Sequence, residues 1–366
     1  MRVLLLTTWF PTLAAPSSGI FVANDAKLLA GRHDVAVVHL ASPALLSEDD
    51  LVADRSRTVQ VTRIPMSTTN PLDLFRAGGR LRDRLESADI LHTQAFSTLL
   101  PLARLRVPLP WVHTEHWSAL SNPETLGSAR LALPLLRPLL RRPDVVTGVC
   151  EYLAAPVRAH RRGPTQIVPC IVPPAAHLAA LPRRPHPRLV AVGGLVERKD
   201  PVLAVDALRL IHDAGVRADL RFVGDGPLRG AVADRAARHS LTDHVSFAGV
   251  VDQAGVTAEL TGADVFFLPT KGENFCVSAA EAIVQGRPVV VGANGGQREY
   301  VEELNGELVA DQTPAAYAHA LLRVLRRDPR PQPADIAATI GDRFSPDRVA
   351  DGYDSAYAEA VALRTT

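Results

Sequence analysis

The chain has 366 residues, 47% of them hydrophobic, and a formal net charge of +1 from 40 Lys and Arg against 39 Asp and Glu. That near-neutral balance excludes the basic footprint of a nucleic-acid binder, and the length allows two domains that each bury a core. No apolar run approaches the roughly 20 residues of a membrane-spanning helix. The three cysteines, Cys150, Cys170 and Cys276, show no pairing or metal-binding spacing and suit a reducing cytoplasm.

Val3 to Leu6 is too short for a signal-peptide core and leads into polar Thr7 and Thr8, so it opens a first buried strand over 2–8. Apolar, β-branched runs predict further strands at 35–40, 58–64, 90–93, 111–114, 145–149 and 166–169, alternating with helical patterns. Between 172 and 187 the spacing breaks, because Pro173, Pro174, Pro182, Pro185 and Pro187 exclude regular structure. A second set of strands follows from 189, then at 218–224, 245–247, 265–268 and 288–291. The last segment carries Val349, Tyr353, Ala356, Tyr357 and Val361 at helical spacing. The expected division is a first domain at 1–178, a proline-rich linker at 179–187, a second domain at 188–345 and a closing helix at 346–366. Strand-helix alternation of this kind predicts an α/β fold of two Rossmann-like, doubly wound domains.

Charge divides unevenly: residues 1–178 hold 19 Lys and Arg against 14 Asp and Glu, and the remainder 21 against 25. Much of the excess lies in Arg130, Arg137, Arg141, Arg142, Arg158, Arg161 and Arg162, and the part interleaved with leucines is open to a basic amphipathic helix in weak contact with a membrane surface. Pro134 and Pro138 interrupt its apolar face, so packing on the domain's own sheet is the competing reading. Only Lys27, Lys199 and Lys271 stand beside 37 arginines, which draws attention to the lysines that remain.

Glu273 and Glu281 are the most informative pair. The run 264–270 reads as a buried strand and 277–285 as a helix, so Glu273 falls on a strand-to-helix loop and Glu281 inside the helix. In an open α/β sheet that place faces the ligand crevice, and a helix amino terminus offers N–H groups to phosphate. One carboxylate can then accept from sugar hydroxyls and the other from a ribose diol. In isolation the same pair reads as two solvated helix glutamates.

Five segments occur in a particular order: 191–199 (AVGGLVERK), 222–227 (FVGDGP), 245–249 (VSFAG), Glu273-Asn-Phe-Cys with Glu281-Ala, and Gly295-Gly296 with Glu299. As an ordered set they resemble glycosyltransferase family 4, retaining enzymes of the two-domain GT-B fold. Asn274 and Cys276 stand where that family's Glu-Gly-Phe-Gly signature has glycine, and Gly194 stands where it usually has an arginine.

The resemblance implies two Rossmann-like domains facing a cleft and a last helix that crosses back to the first domain. It implies a donor-phosphate contact from Lys199, sugar contacts from Glu273, and donor binding by Gly194, Asn274, Phe275, Cys276, Val277 and Glu281. Arg198, directly before Lys199, is expected to supply the guanidinium that Gly194 lacks, the competing reading being a solvated loop cation. In the first domain Gly19 corresponds to the family's glycine loop, and His116 in Thr114-Glu-His116 to a histidine near the reacting carbon. His92 and Trp117 are assigned to the acceptor side.

The activity expected is metal-independent, retaining transfer of a hexosyl unit from a UDP- or GDP-type sugar to an acceptor hydroxyl by a front-face mechanism, with no cofactor and no metal ligands. The acceptor is expected to be a small molecule, cationic and aminocyclitol-like given the acidic stretch 47–50, with a glycan or lipid-linked acceptor as the alternative. A nucleotide-sugar 2-epimerase and an inactive nucleotide-sugar-binding subunit are the competing classes.

Overall fold

The computed structural model describes residues 1–16, 18–51, 59–122, 127, 130–131, 133–182 and 184–365. The chain forms two compact units, one of Met1–Ile171 with Pro346–Thr366 and one of Val172–Ser345.

In the first unit, β1 (Arg2–Thr7), β2 (Asp34–Ala41), β3 (Gln60–Pro65), β4 (Ile90–Gln94), β5 (Trp111–Glu115), β6 (Val145–Gly148) and β7 (Thr165–Ile167) form one parallel sheet in the order β3-β2-β1-β4-β5-β6-β7. Its central strands are buried on both faces, which is why they read as unbroken apolar runs. One face packs Leu4, Leu6, Leu91 and Trp111 against Leu81 and Leu85 of the helix Pro71–Glu86. The other packs Val3, Leu5, Val37 and Val112 against the helices Ile20–Ala30 and Pro346–Thr365. The closing helix thus belongs to the first unit. Its buried stripe is Val349, Tyr353, Ala356, Tyr357 and Ala360; Val361, expected on that stripe, is only half-buried.

In the second unit, β8 (Arg188–Val192), β9 (Asp219–Val223), β10 (Val245–Gly249), β11 (Val265–Leu268), β12 (Val289–Gly292) and β13 (Gly306–Val309) form a parallel sheet in the order β10-β9-β8-β11-β12-β13. Strand β13 has no counterpart among the predicted strands. It spans four residues, begins on glycine and pairs at the sheet edge with β12 alone, too little for an alternation signal. Residues 172–187, so far as described, contain neither helix nor strand, as their prolines require. They belong to the second unit, where Val172 N–H donates to Phe344 O at 2.7 Å.

Among its described residues, the basic stretch at 130–142 forms short separate pieces in place of the one amphipathic helix it suggests. Its described residues give a four-residue helix Leu133–Leu136 and a 3-10 turn Arg137–Arg141 opening at Pro138, and Leu131 and Leu135 point to solvent. The strand expected from residue 58 starts, among the described residues, at Gln60.

Candidate active site

Each sheet reverses its winding once, between β1 and β4 and between β8 and β11. Loops leaving the carboxyl ends of strands on either side of such a switch run in opposite directions and leave a crevice. In the second unit those loops are 193–200 and 269–276, and they carry Arg198, Lys199 and Glu273.

The three side chains meet. Arg198 Nη1 lies 2.6 Å and Lys199 Nζ 3.2 Å from Glu273 Oε1, and Arg198 Nη1 also donates to Gly272 O at 2.7 Å. Burial alone would push the Glu273 carboxyl up, but Lys199 and Arg198 outweigh it and hold the group below its usual range. Lys271, the other lysine in these motifs, pairs instead with Asp200 at 3.2 Å and is not part of this cluster.

Glycines bring the loops together. Gly193 has φ +137°, and a Cβ there would come within 2.7 Å of Lys199 Nζ. A Cβ on Gly224 or Gly226 would strike the backbone of Gly193 or Leu195, at 2.2 and 2.6 Å, which explains the Gly-Asp-Gly-Pro segment as a packing device. Gly295 forms a bridge with Glu273, whose carbonyl oxygen a Cβ there would meet at 2.1 Å. Gly194 is different: the nearest heavy atom a Cβ there would meet, Asp225 O, is 3.6 Å away, an ordinary contact, and its φ is not left-handed. A Cβ is therefore accommodated where the family pattern has arginine.

The helix Val277–Val284 begins after Cys276, whose backbone is left-handed at φ 63°, ψ 62°. That conformation favours glycine and explains why the family pattern has glycine at this place. Asn274, Phe275 and Cys276 therefore precede the helix, and only Val277 stands in its first turn. The loop is tied down by Tyr300 Oη, which is 2.7 Å from the carbonyl oxygens of both Phe275 and Cys276. Burial pushes the Cys276 thiol up to about 12, so it is a packed thiol. Glu281, in the second turn, accepts from Gln253 Nε2 at 2.7 Å; burial raises its pKa and that bond acts the other way.

In the first unit Gly19 precedes the helix Ile20–Ala30 with φ 65°, and a Cβ on it would sit 2.3 Å from the Trp9 carbonyl carbon. Close approach and a left-handed backbone both demand glycine here. His116, just beyond β5, is 8% exposed and rests on Phe21 with ring centroids 4.6 Å apart. Burial lowers its pKa to about 3, with His113 adding to the effect, so the imidazole is neutral. Its Nε2 lies 3.1 Å from Gln94 Oε1; Gln94 Nε2 donates to Asp25 Oδ2 at 3.3 Å, and Tyr353 Oη donates to the same oxygen at 2.8 Å. Above about pH 7 Asp25 is ionised and only accepts, so there Gln94 presents its amide nitrogen to Asp25 and its oxygen to His116, which places the imidazole proton on Nε2.

His92 does not line an acceptor surface. It is fully buried with Nδ1 2.8 Å from Tyr357 Oη and Nε2 2.7 Å from Thr114 Oγ1, because β4 lies at the sheet centre beneath the closing helix. Trp117 is half-buried against Phe96 at 5.3 Å, its backbone N–H donating to Glu115 Oε1. In the acidic stretch 47–50, Asp50 is taken up internally by Ser47, Leu13 N–H and Arg63, leaving Glu48 and Asp49 as its exposed carboxylates.

Sequence reasoning missed Asp25, Gln94, Tyr353 and Gln253. Asp25 left a readable sign: it shares a helix face with Val22, Ala26 and Leu29, and a carboxylate on an apolar stripe requires a partner.

Residues 19–176 match the Glycosyltransferase Family 4 pattern and residues 186–327 the family described as Glycosyl transferases group 1. The chain belongs to glycosyltransferase family 4. It is 29% identical over 259 residues to a 2-deoxystreptamine glucosyltransferase of Streptomyces kanamyceticus, spanning 65% of this chain and 67% of that one. It is 29% identical over 336 residues to a GDP-mannose-dependent alpha-(1-6)-phosphatidylinositol monomannoside mannosyltransferase of Mycobacterium tuberculosis, spanning 85% of each. A 31% match to the corresponding dimannoside mannosyltransferase covers 51% of this chain but only 43% of the relative. The fold is GT-B: a sucrose-phosphate synthase from Thermosynechococcus elongatus superposes with TM-score 0.80 at 20% identity over 99% of this chain and 100% of that one. HepE of Anabaena, solved with UDP, gives 0.78 at 17% identity over 98% and 100%.

Proposed function

We propose that the protein transfers a hexosyl unit from a nucleoside diphosphate sugar to a hydroxyl of a cyclitol-type acceptor, with retention at the anomeric carbon. The observation that carries this reading is the convergence of Arg198 and Lys199 on Glu273 at the β8/β11 switch point. Breaking the anomeric bond loads negative charge onto the departing diphosphate, and two cations held in place by backbone and carboxylate stabilise charge that grows only in the transition state. When the diphosphate takes up the cations, the Glu273 carboxylate is released to accept from sugar hydroxyls. Glu281 accepts from the ribose diol, and the N–H groups at 274–277 face the phosphates.

The acceptor attacks from the face the diphosphate leaves, and a diphosphate oxygen takes its proton. Neutral His116 holds the donor sugar. No metal ion and no covalent enzyme intermediate takes part. The acceptor class is supported by relatives whose names specify 2-deoxystreptamine and phosphatidylinositol mannosides, all built on a cyclitol ring. The sparse count of three cysteines suits a cytoplasmic setting.

Incubation with UDP- and GDP-hexoses and free or lipid-linked cyclitols, with products analysed by NMR, tests this. Retention of the donor's anomeric configuration is expected. An inverted product would overturn the mechanism, and an epimerised nucleotide sugar formed without acceptor would show the epimerase instead.

A further inference from the structure

At the amino ends of β8, β9 and β10 lies a cluster that glycosyl transfer does not use. His186 stands two residues before β8, Asp219 opens β9 and His244 immediately precedes β10. The three strands are parallel neighbours, so these residues share one sheet edge. Arg198, Lys199 and Glu273 follow strand carboxyl ends and occupy the other edge. One ligand atom from each of His186, Asp219 and His244 lies within 4.8 Å of the other two.

We propose that His186, Asp219 and His244 form a binding site for a divalent transition-metal ion of the zinc type. Two imidazoles and one carboxylate suit Zn²⁺, Co²⁺ or Ni²⁺ and not the all-oxygen preference of Mg²⁺ or Ca²⁺, and three ligands leave a position for water. With bonds of roughly 2.0 to 2.2 Å, ligand atoms on a tetrahedral ion lie roughly 3.3 to 3.6 Å apart; the three atoms, now within 4.8 Å of one another, close onto that spacing while the 2.8 Å contact of His244 Nδ1 with Asp219 Oδ1 opens, changes that side-chain rotation supplies.

The frame is partly set in advance. His244 Nδ1 is already 2.8 Å from Asp219 Oδ1, and the His212 ring stands edge-on to His244 at 4.7 Å, its own Nε2 held 2.8 Å from Ala218 O. His186 lies between Pro185 and Pro187, whose rings limit the backbone on both sides. The nearby cation Arg188 is matched by Glu259, which also binds Arg221. A bound ion ties the proline-rich segment to two strand starts and stabilises the second unit; it has no part in catalysis.

The test uses tag-free protein, stripped with chelator, dialysed and titrated with Zn²⁺ against a chromophoric competitor. One equivalent should bind and raise the melting temperature, and Co²⁺ should give a visible absorption band. His186→Ala, at an exposed residue whose loss spares the fold, and His244→Ala should each weaken Zn²⁺ by roughly tenfold or more, since losing even an outer partner of a metal ligand costs about 10 to 100-fold. Wild type and both variants binding Zn²⁺ alike, or wild type showing no thermal shift with Zn²⁺, would overturn the site.

Discussion

Arg198 and Lys199 act on one carboxylate oxygen, so each should matter more to turnover than to binding. Removing one preorganised donor from a transition-state site typically costs about 10² to 10³ in kcat, and Arg198→Ala and Lys199→Ala are expected in that range with smaller changes in KM. Near wild-type turnover in Arg198→Ala would mean that the site runs on the lysine alone. Gly194→Arg should partly restore Arg198→Ala, because a Cβ there makes only ordinary contacts and the guanidinium returns to the place the family pattern gives it. Glu281→Ala is expected to weaken nucleoside diphosphate by about 1 to 3 kcal/mol, the worth of hydrogen bonds to a charged group, while Glu273→Ala spares that affinity and lowers kcat. Equal losses of affinity in calorimetry would refute the division of roles.

Asp25 supplies a pH dependence. Burial raises it to about 7, against the hydrogen bonds from Tyr353 and Gln94. The native state then holds a proton that the unfolded chain loses near pH 4, so stability falls as pH rises between about 4 and 7 and the cost is complete above that window. Asp25→Asn should flatten the slope and raise the melting temperature at pH 8, removing a penalty of at most about 4 kcal/mol at about 1.4 kcal/mol per unit. Parallel melting curves for the two proteins from pH 5 to 8 would contradict this.

At the scale of elements, the loop between β11 and its helix depends on backbone geometry more than on side-chain chemistry. Cys276 holds a left-handed conformation that costs a non-glycine residue about 1 to 2 kcal/mol. Cys276→Gly should therefore keep activity, whereas a β-branched Cys276→Val should lower both melting temperature and kcat; an active, stable valine variant would show that the conformation is not required. Gly295→Ala should disturb Glu273 through its carbonyl. By contrast Gly79, inside the helix Pro71–Glu86 with nothing within 4 Å of an added Cβ, should gain about 0.5 to 1 kcal/mol as alanine. Strands were legible wherever an apolar run was buried on both faces, as in β1 and β11, and illegible in the four-residue edge strand β13, where pairing with β12 and not pattern decides the conformation.

At the scale of the whole molecule, no helix among the described residues is long and apolar enough to cross a membrane. Among the described residues of the basic stretch, Leu133–Leu136 form a short helix and Arg137–Arg141 a 3-10 turn, and Leu131 and Leu135 are exposed. Flotation with anionic vesicles is expected to leave the protein unbound at physiological salt; strong, salt-sensitive binding would favour a lipid-linked acceptor. A panel of nucleoside diphosphates should raise apparent stability by mass action, about 2.7 kcal/mol at one hundred times Kd, and so identify the base.

The alternation of strands and helices, the order of the glycine-bearing motifs and the placement of Glu273 beyond a strand end were all present in the chain itself, because each is written in local spacing. Which side chains touch was not. Arg198 and Lys199 reach Glu273 across more than 70 positions only because β8 and β11 are neighbours at the point where the sheet reverses. Asp25 and Tyr353, 328 positions apart, meet only because the last helix returns to the first sheet. His92 and Lys271 resembled site residues in their segments and were assigned elsewhere by the same tertiary pairing. A motif specifies residue types along one strand and its loop; contact between loops is decided by strand order, which no single segment contains.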